Sequence, residues 1–394
     1  MRGIFKGLIG LVIVLALLWL GLWLYAEMRL KQLVTAQIDQ INAGGTAQIS
    51  YDRLTSSRSP LVASLTLVNP RWSETPAPGA GPLSLHAASF GAHIDLLSPL
   101  TLHIDMPHSL DISTPRAAGA MTFAVADVTE RLAPGVWLGH TDNPVRAGDA
   151  RFAGINLLAS NGSLQVASLD SLVLHQALDA TASKGQTALA ATLQMRGFAL
   201  SPILARLINL PFDGKLAGLD LSVQLSGPLD WQSLARQEAG LPDETARHKF
   251  ILQALHQWAM AGGSATFKAH LALGPSQLDA AGHAVFDANG QPSGASSLKA
   301  DHLDALSAAL TKSYPFLQGW VAQFQARFSP YITSNAQDGQ VLAVQTRFGK
   351  DGVFINGTRS GDMPPLNWDK LLNPPPPAAP PATAPGDGSG AASP

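Results

Sequence analysis

The densest set of groups able to do chemistry lies between His93 and Asp105, in the run HIDLLSPLTLHID. Each His-Ile-Asp triplet puts its imidazole and carboxylate on one strand face, because strand side chains alternate. A three-residue turn at Ser98-Pro99-Leu100 would set His93 opposite Asp105 and Asp95 opposite His103, ~5 Å apart across the strands. Neutral imidazoles and carboxylates at that spacing suit zinc or another divalent metal, and a metal-activated water would make the chain a metal-dependent envelope hydrolase. The same residues equally suit the solvent face of a hairpin with opposite charges paired across it. A two-residue turn would destroy the facing. Both readings stay open at this point.

Elsewhere the chain offers little chemistry. No GxSxG, HExxH, phosphate loop or dinucleotide fingerprint occurs. There is no Cys, so disulfides, thiolate metal sites and a Cys nucleophile are excluded. Asp301, His302 and Asp304 fall at a helix start and read as capping residues. Asn161-Gly-Ser and Asn356-Gly-Thr read as hairpin turns, and Trp231, Trp258 and Trp320 as core in preference to a ligand surface. No catalytic residue and no cofactor is expected. Net charge is −2 with 14% charged residues, so no bulk field draws nucleic acid.

The elements that would position any site begin with an apolar run. Gly7 to Ala26 carries no charge, and as a helix would span about 30 Å, the hydrocarbon thickness of a bilayer. Leu8, Leu11 and Leu15 face lipid in this reading, and Trp19, Trp23 and Tyr25 sit at the headgroup level. The run is longer than a signal-peptide core, and Leu24 stands where a cleavage site needs a small residue. The expectation is an uncleaved anchor (residues 1–26) with a cytoplasmic N-terminus. The main domain then lies outside the inner membrane, in the periplasm of a Gram-negative cell. Residues 27–45 read as an amphipathic juxtamembrane helix with Leu30, Leu33, Val34, Ile38 and Ile41 in one stripe. That stripe packs on the following domain or pairs two chains as a stalk.

From Thr46 the apolar period becomes two, in many short segments bounded by Gly, Asn, Asp or Pro. Helices are expected at Ser201–Leu210, Asp243–Ala261, Asp301–Leu310 and Phe316–Phe328. Asp287 to Gly290 reads as a hairpin turn. Residues 46–372 therefore read as one α+β, mainly β domain: a long antiparallel twisted sheet, open enough to form a groove, with packed helices. Residues 373–394, rich in Pro, Ala and Gly, read as a disordered tail.

Two places carry a family likeness. Tyr51, the strand Leu61–Val68 and Asn69-Pro70-Arg71 resemble the early signature of an uncharacterised proteobacterial family, domain of unknown function 2125. The closing hairpin from Asp338-Gly339 to Phe354 and the exit Met363-Pro364-Pro365-Leu366 are similar to that family's end. The chain departs from it at Arg58-Ser59-Pro60, where the family typically has Gly-Phe-Pro. The layout also resembles inner-membrane proteins related to the AsmA family. That resemblance implies an open apolar-lined sheet and a role in phospholipid movement or envelope maintenance, with lipid as ligand or envelope proteins as partners.

Overall fold

The computed structural model describes residues 2–43, 47–56, 59–74, 81–115, 117–139, 143–159, 162, 164–241 and 243–373; the side chains of residues 2–16 and 239 lie outside that description. The expected tail, from residue 374 on, and the helix stop at Gly44-Gly45 also lie outside it.

The chain opens with one unbroken helix, α1 (Arg2–Ala43). Ten short strands follow: β1 (Ala47–Ser50), β2 (Arg53–Ser56), β3 (Val62–Val68), β4 (Arg71–Glu74), β5 (Leu83–His86), β6 (Ser89–Asp95), β7 (Thr101–Asp105), β8 (Ser109–Thr114), β9 (Ala117–Thr122) and β10 (Val125–Leu132). Their pairing shows what they are. β2–β3–β6–β7–β10 run side by side, and so do β1–β4–β5–β8–β9, in the same order. Both rows end on the long strand β11 (Val145–Ala159). The ten segments are therefore five long strands, each creased once. The creases fall at Tyr51-Asp52, Asn69-Pro70, Ala87-Ala88, Met106 to His108 and Phe123-Ala124, aligned across the sheet. Backbone bonds bridge them, such as Asn69 N to Ala88 O at 3.0 Å and Ala124 N to Ala153 O at 2.9 Å. In β11 the crease passes through Gly154 (φ +59°), where a Cβ would lie 2.7 Å from the Ala124 methyl. Proline, which has no N–H to give a ladder, sits at two of the creases.

The meander continues through β12 (Leu164–Leu178) and β13 (Thr187–Leu200), each hairpin-paired to the strand before it. After the short helix α2 (Pro202–Leu207) come β14 (Lys215–Ser226), α3 (Trp231–Ala239) and α4 (Glu244–Met260). β15 (Ser264–Leu273), β16 (Ser276–Phe286) and β17 (Pro292–Asp301) extend the sheet. α5 (Leu303–Ser313), α6 (Gln318–Phe328) and β18 (Ile332–Asn335) lead into β19 (Gly339–Gly349), which pairs with β17. β20 (Gly352–Ile355), β21 (Thr358–Gly361) and α7 (Trp368–Leu372) close the fold. Every ladder is antiparallel, and the described strands form one sheet.

Local signals explain most elements. Asp243 caps α4 by accepting Ala246 N–H at 2.7 Å, and Ser201 caps α2 through Leu204 N–H. Asp287 accepts the N–H groups of Asn289 and Gln291, fixing that hairpin turn. Asn356 and Gly357 both have positive φ, as a two-residue hairpin turn between β20 and β21 requires. At α5 the capping expectation is corrected. The N-cap is His302 in a left-handed conformation with no side-chain cap, and Asp304 instead accepts Gln340 N–H from β19.

The expected stripe of α1 packs on the sheet. Leu30 is 1% exposed and joins Leu65, Ile94, Leu132 and Val136, with Leu33 and Val34 against them. The packed region begins earlier than residue 27. Trp19 Nε1 donates to Pro60 O at 2.8 Å, Trp23 Nε1 to Val62 O at 3.2 Å, and the Tyr25 hydroxyl to Trp137 O. Ala26 is buried with Ala63 and Leu96 beneath Trp19 and Trp23. Among the described residues no helix is long and apolar enough to cross a membrane; Leu8, Leu11 and Leu15 of the expected transmembrane helix fall among side chains outside the description. Leu30→Ala should lower unfolding stability of the full chain in detergent micelles by about 2–5 kcal/mol, read by denaturant titration of Trp fluorescence. Leu97→Ala, at an 84% exposed turn position, should change it by less than about 0.5 kcal/mol.

Candidate functional site

Because the strands are all in one sheet, each has two faces, and register makes the faces continuous. One cross-strand row reads Val128, Ala150, Leu174, Leu193, Leu221, Ala269, Ala280, Leu298 and Val344, from β10 to β19. The row beside it on the same face carries Glu130, Gln176, Val223, Phe267 and Thr346. This is the apolar face, and it is covered only at its margins. α1 covers it over the first strands. On one rim α3 and α4 place Leu234, Leu255 and Trp258 over Leu225, Ala265 and Phe286. On the other, α5 and α6 place Leu306, Phe324 and Phe328 over Leu278, Ala300 and Leu342. Between them Leu174, Leu221, Val223, Phe267 and Leu298 remain 37–44% exposed. Large side chains in a contiguous exposed stripe mark a binding surface more often than isolated ones do.

α2 and α4, two of the helices expected from the sequence, could in principle close this face. Neither does: α2 leaves Ile203 and Leu207 exposed at the rim, and α4 stops at the strand ends. A depression of about 450 Å³ lies on the open face, lined by Val128, Glu130, Leu174, Gln176, Leu221 and Val223 among others. A second, of about 560 Å³, runs between the C-terminal part of α1 and α3 and also reaches Gln176. Glu130 stands at an apolar-face position in the first depression. Its ladder neighbours are Leu102 and Gly148, and desolvation by burial pushes its carboxyl above the usual glutamate range.

The opposite face is polar. It carries His175–Asp149 at 2.6 Å, His270–Asp279 at 2.7 Å and Arg196–Asp220 at 2.7 Å, all directly cross-strand or nearly so. The hairpin residues His93, Asp95, His103 and Asp105 lie on this face. Their facing differs from the expected one. The turn has five residues, Leu96 to Leu100, closed by Ser98 N to Asp95 O and Thr101 N to Ser98 O. It is long because Leu96 continues the apolar face of Ile94 into the core beside Ala26 and Ala63, while Pro99 O accepts the Trp137 indole N–H. Register therefore slides by two residues: His93 faces His103, and Asp105 faces Gly91. The two imidazoles stack with centroids 4.8 Å apart and planes at 10°. Asp105 reaches His93 diagonally, accepting from Nδ1 at 3.0 Å. Potential ligand atoms of His93, Asp95 and His103 all lie within 4.8 Å of one another.

The tryptophans divide. Trp258 is core, with its indole N–H donated to Ser226 O, whereas Trp231 and Trp320 are exposed. The profile of a family described as "Uncharacterized protein conserved in bacteria (DUF2125)" matches residues 23–364. The chain belongs to that family. No curated protein and no solved structure matches it. The family match begins inside α1 and runs through the exit after β21, so the docked part of α1 from Trp23 on, the whole sheet and the rim helices except α7 lie within it, while Trp19 lies before it.

Sequence reasoning missed Glu130 as a member of the open face. The crease at Phe123-Ala124 divides the apolar alternation from Ala120 to Val128 between β9 and β10. The alternation from Val128 to Leu132 was the available signal, since Glu130 stands at an apolar-face position. A carboxyl with a raised folded-state value is protonated in the folded chain at pH where the unfolded chain has lost the proton. Its folded form is thus favoured below the ordinary value of 4.5 and loses that advantage as pH rises through the raised value. Glu130→Gln should raise the melting temperature at pH 8 and lessen the loss of stability as pH rises above the ordinary value, measured by thermal scans of the full chain.

Proposed function

We propose that this chain is a membrane-tethered envelope protein whose open apolar sheet face holds or guides a lipid acyl chain. The observation that carries the reading is the uncovered stripe from Leu174 to Leu298 in an otherwise one-sidedly packed sheet. The row from Val128 to Val344 crosses nine strands. At ~4.8 Å per strand it is roughly 38 Å long, of which the uncovered part from Leu174 to Leu298 is roughly 24 Å, longer than one leaflet of the ~30 Å hydrocarbon core of a bilayer. These side chains are already more than half covered, so of the about 1.5–3 kcal/mol for fully burying each, roughly 0.5–1.3 kcal/mol is left for an acyl chain to supply.

Location supports the same ligand. The uncharged run Gly7–Ala26 suits a single span of the inner membrane with the N-terminus cytoplasmic and the sheet in the periplasm. α1 is locked to the sheet through Trp19, Trp23 and Leu30, so the first strands stand close to the membrane surface. A resemblance in layout to AsmA-related proteins, a group implicated in phospholipid movement, points the same way at the level of fold. The role proposed is binding, with no catalytic step.

Replacing Leu221 by benzoylphenylalanine in the full chain should give a phospholipid adduct on irradiation of intact membranes. The same probe at Ser222, one residue along and on the polar face, should give at least several-fold less. Equal yields at the two positions would remove the lipid-guiding reading, because a tether alone brings both faces near lipid.

A further inference from the structure

We propose that His93, Asp95 and His103 form a binding site for one divalent transition metal of the zinc class, with Asp105 as the residue that positions His93. This site lies on the polar face, away from the acyl-chain stripe, and stands independently of it.

The ligand set is two imidazoles and one carboxylate, the nitrogen and oxygen donors that zinc-class ions accept, with a fourth position left to water. The slide in register is what makes it. With His93 directly opposite His103, the stacked rings present their edges to the same side of the sheet. Asp95 follows His93 by two residues and so adds its carboxylate to that face, one step toward the turn. Donor atoms already within 4.8 Å of one another need to close to about 3.3 Å for a tetrahedral ion with ~2.05 Å bonds. That closure requires rotation about the side-chain torsions, which would unstack the two rings.

The second, independent observation is Asp105. A carboxylate can only accept, so His93 Nδ1 must carry the hydrogen in their 3.0 Å contact. That fixes the His93 tautomer with its Nε2 lone pair free, as the carboxylate–histidine–metal arrangement does. Gly91, opposite Asp105, leaves the room: a Cβ there would lie 3.0 Å from Asp105 Oδ2. Three other His–Asp pairs, at His86, His175 and His270, show the same Nδ1 contact. Among the described residues only the β6–β7 hairpin brings a second imidazole and a further carboxylate to the pair. The other pairs are therefore built-in controls.

The test uses the full chain, purified in detergent without a histidine tag, stripped with chelator and titrated with zinc chloride at pH 7.5 by calorimetry. One equivalent should bind, and excess chelator should remove it. His103→Ala and His103→Gln should each abolish binding, the second guarding against a packing defect in the first. Asp105→Asn should weaken affinity about 10–100-fold, and His175→Ala should leave it unchanged. Zinc should raise the melting temperature of the unsubstituted chain and of His175→Ala, and of neither His103 variant. No stoichiometric zinc in the unsubstituted chain, retention of the equivalent by both His103 variants, or equal loss in His175→Ala would each overturn the proposal.

Discussion

One antiparallel ladder of backbone hydrogen bonds carries the molecule from Ala47 to Gly361, and among the described residues no second sheet packs against it. This constraint shapes everything else. A single-layer sheet has two full faces, and a chain must find partners for whichever face is apolar. Here the partners are the helices, and they are too few. α1, the α3–α4 pair and the α5–α6 pair cover three margins of one face. Among the described residues nothing covers the centre of that face. The polar face needs no cover, because Ser, Thr, His, Asp and Lys occupy its rows. Its exposed ion pairs are worth little each, so the fold's stability rests on the ladder and on the three margins.

The crease is the second consequence of building with one sheet. Strands rarely run long without twisting or bending. In this chain the bend is concentrated on one line through Asn69-Pro70, Met106 to His108 and Gly154, with the ladder resuming in the same strand order on both sides. Gly197 in β13 extends it: a Cβ there would fall 1.9 Å from the Asp170 carboxylate, at φ +67°. Placing the bend in register lets five strands turn together, with no edge opened inside the sheet.

How much of this was legible in the sequence follows from what local pattern encodes. Alternation states which face a residue occupies, so the mainly β class, the polar role of His93 and Asp105, and the apolar character of Leu221 or Phe267 were all readable. Caps and turns with their own chemistry, Asp243, Asp287 and Asn356-Gly357, were readable for the same reason. Alternation does not state which residue lies opposite. The His93 facing depended on a turn length that Leu96 and Trp137 set from elsewhere in the fold. The helix α3 escaped notice because its sequence, WQSLARQEA, offers little apolar periodicity, and its cap, Asp230, looks like any loop aspartate. Whether the apolar face was open could not be read at all, since it depends on where the helices dock.

Trp19 and Trp23 bring the two halves of the molecule together. As amphipathic rings near the end of an apolar run they suit a membrane interface, yet both indole N–H groups are donated to carbonyls, of Pro60 and Val62, at the start of β3. The two roles are compatible, because a ring can cover apolar surface while its single donor is satisfied by backbone. What the hydrogen bonds add is rigidity. A flexible linker after the apolar run would let the sheet tumble above the bilayer. A helix fastened by Trp19, Trp23, Tyr25, Arg29 and Leu30 fixes the direction in which the open face points. On the proposed reading, an acyl-chain surface works only when presented at a defined angle to the membrane, and the docking of α1 would supply that angle, with Trp23, Tyr25, Arg29 and Leu30 at the start of the family's shared region.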